Sequence, residues 1–167
     1  PITEMTTELW DHDHNRNLRY VFIAAREFAR GLIARGAPGS LVTIASVDGV
    51  RAARNHASYG AAKAGLINLV RTMAQEWAPH GIRANCVAPG GIVTPRIPLG
   101  PAEREAEGMA LVPMQRRGTT AEIANAVTFL LSDMATYITG QTLAVDGGYL
   151  AAGGFSSKAP ASLGKTL

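Results

Sequence analysis

A single cysteine, Cys86, stands in the 167 residues, so no disulfide can form within the chain and a reducing compartment, the cytoplasm, is its natural setting. Charge of neither sign is in large excess. Sixteen basic and 13 acidic residues leave a formal charge of +3, and they are scattered rather than clustered, which argues against a nucleic-acid partner. No apolar run approaches the ~18 residues of a membrane span. The N-terminus has no basic segment followed by an apolar one, so no secretory leader is expected. Also missing is any G-x-G-x-x-G turn that opens a helix and cradles a pyrophosphate, or an acidic residue about 20 positions beyond one. The Gly pairs that do occur, Gly90-Gly91, Gly147-Gly148 and Gly153-Gly154, follow apolar runs or lie near the C-terminus and read as turns.

What the chain does have is 47% hydrophobic residues with only 6% aromatics, a composition suited to helices packed closely on a sheet. Leu18, Val21, Phe22, Ala25, Phe28, Ala29, Leu32 and Ile33 recur at helical spacing and predict a helix from Pro1 to about Arg35, ended by Ala37-Pro-Gly39. A strand through Leu41–Ala45 follows, then a long helix from about Ser58 to Ala78 that buries Leu66, Leu69, Val70, Met73 and Trp77 and stops at Pro79-His-Gly81. Arg83–Ala88 reads as the second strand. Thr119-Thr-Ala-Glu122 is a capping box opening a helix to about Asp133, and Thr142–Val145 reads as the last strand. Strands alternating with helices imply an α/β fold with a parallel sheet covered on both faces, here of about three strands. Residues 1–150 form the domain. The remainder, 151–167, rich in Gly, Ser, Ala and Pro, reads as a flexible tail or an arm.

Ser46, Tyr59 and Lys63 stand in the order S-x12-Y-x3-K. The serine falls at the end of a strand and the other two on the first turns of a helix, four residues apart and hence on one face. A phenol of pKa about 10 is a sluggish acid near neutrality. An ammonium roughly 5 Å away at an effective dielectric of about 20 favours the phenolate by about 3 kcal/mol, so the expectation is that Lys63 lowers the Tyr59 pKa by roughly two units. A hydroxyl at Ser46 adds a hydrogen bond to an oxygen on which charge develops. The reaction class this suggests is hydride transfer to a ketone, or its reverse.

These segments together resemble the C-terminal two-thirds of a short-chain dehydrogenase/reductase. Trp10-Asp-His-Asp-His-Asn-Arg-Asn17-Leu18 is similar to that family's helix bearing a fourth catalytic residue, and the resemblance gives Asn17 that role, holding a water that feeds protons to Lys63 and Tyr59. Asn85-Cys-Val-Ala-Pro89-Gly90-Gly-Ile92-Val-Thr94 resembles the family's N-x3-P-G-x3-T segment, which implies coenzyme contacts at Pro89, Gly90, Ile92 and Thr94. Tyr59 and Lys63 would also touch the nicotinamide ribose. Ile138 to Gly148 is similar to the last strand with its Asp-Gly-Gly turn. The implied fold is a partial Rossmann-type doubly wound sheet. The implied activity is NAD- or NADP-dependent interconversion of a secondary alcohol and a ketone, with a small-molecule substrate and no metal. The phosphate-binding part is not represented, so activity of this chain by itself is doubtful. The competing reading is a non-catalytic module that assembles with copies of the chain through the Asn17 and Tyr59 helices, which form the subunit interface in that family.

Other residues have plainer readings. His12 and His14, with Asp11 and Asp13, diverge at i and i+2 and read as a solvated helix face rather than a metal site. His56 lines a substrate pocket or is a loop histidine. Asp48-Gly49 is a turn signal before it is a substrate contact. The charged Glu103–Glu107 stretch between Thr94 and Gly118 reads either as a flap over the substrate or as a solvated loop with one short helix. Ala57, Gly60, Ala61, Ala64 and Gly65 allow close helix approach, and Ala62 stands where the family often has Ser. The Leu41–Ala45 strand is expected to keep an unpaired edge that invites association.

Overall fold

The computed structural model describes residues 1–152. The tail reading, apart from its first two residues, lies outside the described residues. Three parallel strands form the central sheet in the order β1-β2-β5, with β1 spanning Gly39–Ile44, β2 Ile82–Pro89 and β5 Thr142–Val145. Register pairs Gly39 with Ile82 and Cys86 with Thr142. Two further strands of two residues each, β3 (Ile92–Val93) and β4 (Gly118–Thr119), pair parallel beyond the end of β2. Sequence reading missed this pair because two residues carry no periodicity.

The predicted first helix is composite. Ile2–Glu4 forms a short 3₁₀ turn, α1 runs Thr7–His14, Asn15–Arg19 forms a π turn, and α2 continues from Tyr20–Ala34. Its true start is set by Thr6, whose hydroxyl accepts from the Leu9 amide. Helix α3 (Ala57–Trp77) ends in a 3₁₀ turn at Ala78–His80 with Gly81 in the left-handed region, φ 73°. Helix α4 covers Ala102–Met109 and α5 covers Thr120–Leu131. Both halves of the α5 capping box form: Thr119 accepts from the Glu122 amide, and the Glu122 carboxylate accepts from the Thr119 amide at 2.7 Å.

Alternation along β2 assigns its faces. Ala84 and Cys86 join Leu66, Ile67, Val70, Met73 and Ala74 of α3 in the core cluster, with Ala25 and Ala45. Arg83 points the other way and donates to the carbonyls of Leu130 (2.8 Å) and Ser132 (3.1 Å) at the C-terminal end of α5. Period-two geometry therefore puts α3 and α5 on opposite faces of the sheet. Asn85, wholly buried, donates to the Ile138 carbonyl and accepts from the Gln141 amide, which fixes the turn leading into β5. Strand β1 has a neighbour on one side only among the described residues, as its position predicted. No helix among the described residues is long and apolar enough to cross a membrane.

Candidate active site

Chain leaving β1 at Ile44 turns outward through Ala45 and Ser46 into a 3₁₀ turn, Val47–Gly49. Ser46 is extended (φ −163°, ψ 156°), and its hydroxyl accepts from the Asp48 amide at 3.2 Å, so the side chain is pinned at the carboxyl end of the sheet. This turn packs hard on the start of α3. A Cβ on Gly60 would lie 2.9 Å from the Asp48 carbonyl oxygen, and one on Gly49 2.7 Å from the Lys63 carbonyl carbon. Glycine at 49 and 60 is what lets the Ser46 turn and the Tyr59 helix meet at backbone distance.

Ser46, Tyr59 and Lys63 are thereby brought to one place. Lys63 Nζ sits 5.7 Å from the centre of the Tyr59 ring and donates to the Ile44 carbonyl at 2.9 Å. Lys63 is only 7% exposed. Burial holds its pKa below the ordinary lysine value, with the nearby Cys86 thiol acting weakly in the other direction. Tyr59 departs from expectation. Burial pushes the phenol above its ordinary value, hydrogen bonding with Ser46 pulls it down, and the Asp48 carboxylate adds a further upward push. The anticipated lowering by Lys63 is not found in this structure: desolvation dominates at Tyr59, and the Lys63 ammonium, itself destabilised by burial, is committed to Ile44. Burial also pushes the Cys86 thiol up, which keeps it protonated.

Asn17 lies in the π turn on the neighbouring helix, and π turns recur at functional sites. Its side-chain amide donates to the Asp13 carbonyl at 2.9 Å rather than to Lys63. Pro89 and Gly90 end β2 beside these groups. Gly90 is required there by packing, since a Cβ would lie 2.9 Å from Asp146, and its amide donates to the Val145 carbonyl. Ile92 pairs with Gly118 across the β3–β4 ladder. Thr94 closes a tight turn with Ile97, its hydroxyl accepting the Ile97 amide at 3.0 Å, so that amide is spent locally.

Sequence reading set aside three residues that the structure draws into the site's surroundings. His56 precedes α3, bonds Asp48 through Nδ1 at 2.7 Å, and stands edge-on to the Tyr59 ring, 5.9 Å between centroids. Asp48 is thus more than a turn residue. Asp13, read as part of a solvated face, turns inward and accepts the hydroxyl of Ser58, which is buried beside Tyr59. The available signal was its spacing of four from Asn17, which puts both on one helical face. His14 keeps the plain reading, stacked on Trp10. The stretch between Thr94 and Gly118 forms α4, whose Glu105 pairs with Arg117 at 2.8 Å.

The donor set suits the nicotinamide end of a coenzyme. Lys63 has two protons left after its bond to Ile44, and a phenol and a serine hydroxyl share its corner at the carboxyl ends of β1 and β2, where ligands bind open α/β sheets. For a pyrophosphate the described residues offer no glycine-rich helix start.

The sequence and the fold have relatives among known proteins. A family model described as enoyl-(acyl carrier protein) reductase matches residues 1–150. The chain is 39% identical over 156 residues to L-xylulose reductase of Bos taurus, covering 90% of this chain and 63% of that protein. It is 42% identical over 147 residues to 3-oxoacyl-(acyl-carrier-protein) reductase of Escherichia coli K12, covering 88% and 60%. Among solved structures, an Agrobacterium tumefaciens protein with bound NADP superposes with a TM-score of 0.83 at 37% identity, over 89% of this chain and 61% of that one. A 4-hydroxyisoleucine dehydrogenase complexed with NADH gives 0.83 at 30% identity, over 90% and 63%. The chain thus spans somewhat under two-thirds of the length of these relatives.

Proposed function

Since this chain belongs to the short-chain dehydrogenase/reductase family, we propose that it carries the catalytic half of an NAD- or NADP-dependent oxidoreductase that interconverts a secondary alcohol and a ketone. The observation that carries the proposal is the convergence of Ser46, Tyr59 and Lys63 on one corner at the carboxyl ends of the strands. Polypeptide outside these 167 residues supplies the pyrophosphate-binding turn, in keeping with the share of its relatives that the chain spans.

In the reducing direction the substrate carbonyl oxygen accepts hydrogen bonds from Ser46 and Tyr59. A nicotinamide coenzyme held at Tyr59 and Lys63 would supply the hydride. Tyr59 gives its phenolic proton to the oxygen as negative charge develops there, and the product is the alcohol. The raised pKa of Tyr59 keeps that proton in place until the transfer. Lys63, anchored on Ile44, stabilises the transient phenolate and holds the coenzyme ribose with its remaining protons. Asn17 holds a water through which solvent returns a proton to Lys63 and Tyr59. Pro89, Gly90, Ile92 and Thr94 line the nicotinamide side. In oxidation each transfer runs backwards.

Replacing Tyr59 by Phe is expected to lower kcat by about 10²-fold or more with the fold intact. The check is coenzyme consumption by the protein as produced from its own gene, against a panel of ketones with NADH and NADPH. Retained turnover in Y59F overturns the assignment.

A second reading has its own observation. A groove of about 520 Å³ between the π turn, α2 and α3 is lined by Leu18, Phe22, Gly65 and Leu69. It fits a second copy of the chain, either as the enzyme's subunit interface or as the sole purpose of a non-catalytic module. Fluorescence titration with NADH and NADPH separates the two, because the module binds neither.

A further inference from the structure

We propose that Asp13 is a positioning residue that sets the catalytic Tyr59 and the relay residue Asn17 in register with each other. The proposal rests on the reaction assigned above. Helix α3 begins at Ala57 with no side-chain cap from His56, and the close packing of Gly60 on the Asp48 turn holds one side of its first turn. A long-range bond holds the other side: the Ser58 hydroxyl, 2% exposed, donates to the Asp13 carboxylate across the interface between α1 and α3. Ser58 is the residue next to Tyr59, and its position decides where the phenol stands relative to Ser46.

The same aspartate acts on the other partner. Its backbone carbonyl accepts the Asn17 side-chain amide at 2.9 Å, inside the π turn at Asn15–Arg19. One residue therefore holds the start of α3 with its side chain and aims Asn17 with its main chain. Its charged and titratable neighbours on α1 are engaged elsewhere or exposed: Asp11 is exposed, His12 contacts Arg16, and His14 bonds the Trp10 carbonyl. The Ser58 hydroxyl donates to Asp13 alone among the described residues. Without the carboxylate, a buried hydroxyl loses its acceptor, and α1 loses a polar tie to α3 just ahead of the π turn, leaving the packing of Leu18 on Gly65. Small displacements of acid and relay groups lower turnover more than they lower affinity.

The test uses the full chain with Asp13→Ala, Asp13→Asn and Ser58→Ala. The first readout is the side-chain amide resonance pair of Asn17 in the ¹⁵N spectrum, assigned with Asn17→Ala, which is visible whether or not the protein turns over. Asp13→Ala and Ser58→Ala are expected to shift or broaden that pair, although Ser58 does not touch Asn17, and Asp13→Asn, which keeps an acceptor oxygen, is expected to restore it. The second readout is steady-state kinetics on the protein from its own gene. D13A and S58A each lower kcat about tenfold, the double variant is no worse than either single, and coenzyme KM stays within about twofold. Unmoved Asn17 resonances in D13A and S58A would overturn the proposal, leaving Asp13 a fold contact only. Tyr59→Phe is run alongside, because turnover surviving that change sinks the reaction while an intact Asn17 response still upholds the coupling.

Discussion

Lys63 and Tyr59 are both pushed toward their neutral forms by the same burial, and the consequences for stability run in opposite directions with pH. Lys63 has a folded pKa below 10.5, so between that depressed value and 10.5 the unfolded chain binds more protons and stability rises with pH. Tyr59 has a folded pKa above 10.0, so once pH passes 10.0 the unfolded chain loses the proton first and stability falls. Urea midpoints as a function of pH check this: Lys63→Met is expected to remove part of the alkaline rise, and Tyr59→Phe to remove part of the loss beyond it. A second residue-scale expectation concerns Gly49. A methyl group there meets backbone of Lys63 and Ala64 at 2.7 and 2.9 Å, and backbone does not yield as a side chain would. Gly49→Ala should destabilise by about 1–3 kcal/mol in urea unfolding. The Ser46, Tyr59 and Lys63 constellation was readable from its spacing together with the family-like segments around it, since strand end and helix face say which side chains can converge while Tyr-x3-Lys by itself recurs on many helices. The direction of the Tyr59 shift was not, since it depends on burial and on Asp48, neither of which spacing reveals.

At the scale of elements, local signals served well where one residue decides a boundary. The capping box at Thr119 and Glu122 marked the start of α5, and Gly81 ended the turn after α3. Thr119→Ala should cost about 1 kcal/mol of stability by loss of the cap. The carboxylate of Glu122 is held at about 2 by its bond to Arg116 and then by the Thr119 amide. Its contribution is present above the ordinary carboxylate range and is lost as pH falls toward about 2, so the stability deficit of Glu122→Gln measured by thermal melting should narrow in acid. Helix interruption was harder to read. Apolar periodicity runs through Asn15–Arg19 without a break, and the π turn there shows only in the backbone hydrogen bonding. Asp13 was misplaced for a different reason: its spacing of four from Asn17 was the only local signal of its face, and its partner Ser58 lies far along the chain.

The whole molecule presents one face that its own described residues leave open. Strand β1 is paired only with β2, and Ile44 at its end is 42% exposed. An unpaired apolar strand edge templates association. The 167-residue chain by itself should therefore run as oligomers or aggregates in size exclusion with light scattering, and addition of a polypeptide that pairs with β1 should make it monodisperse. A monomeric sample that melts cooperatively without such a partner would count against this. The sequence by itself determined the alternation of strands and helices, the parallel sheet, and the three residues at its carboxyl end, because hydrophobic period and residue spacing are local quantities. Only the tertiary structure decided that Asp13 reaches Ser58 across two helices, that Gly90 is demanded by Asp146, and that burial raises the Tyr59 pKa. Each of these depends on groups distant in the chain meeting at a few ångströms, where desolvation and packing, rather than residue type, set the outcome.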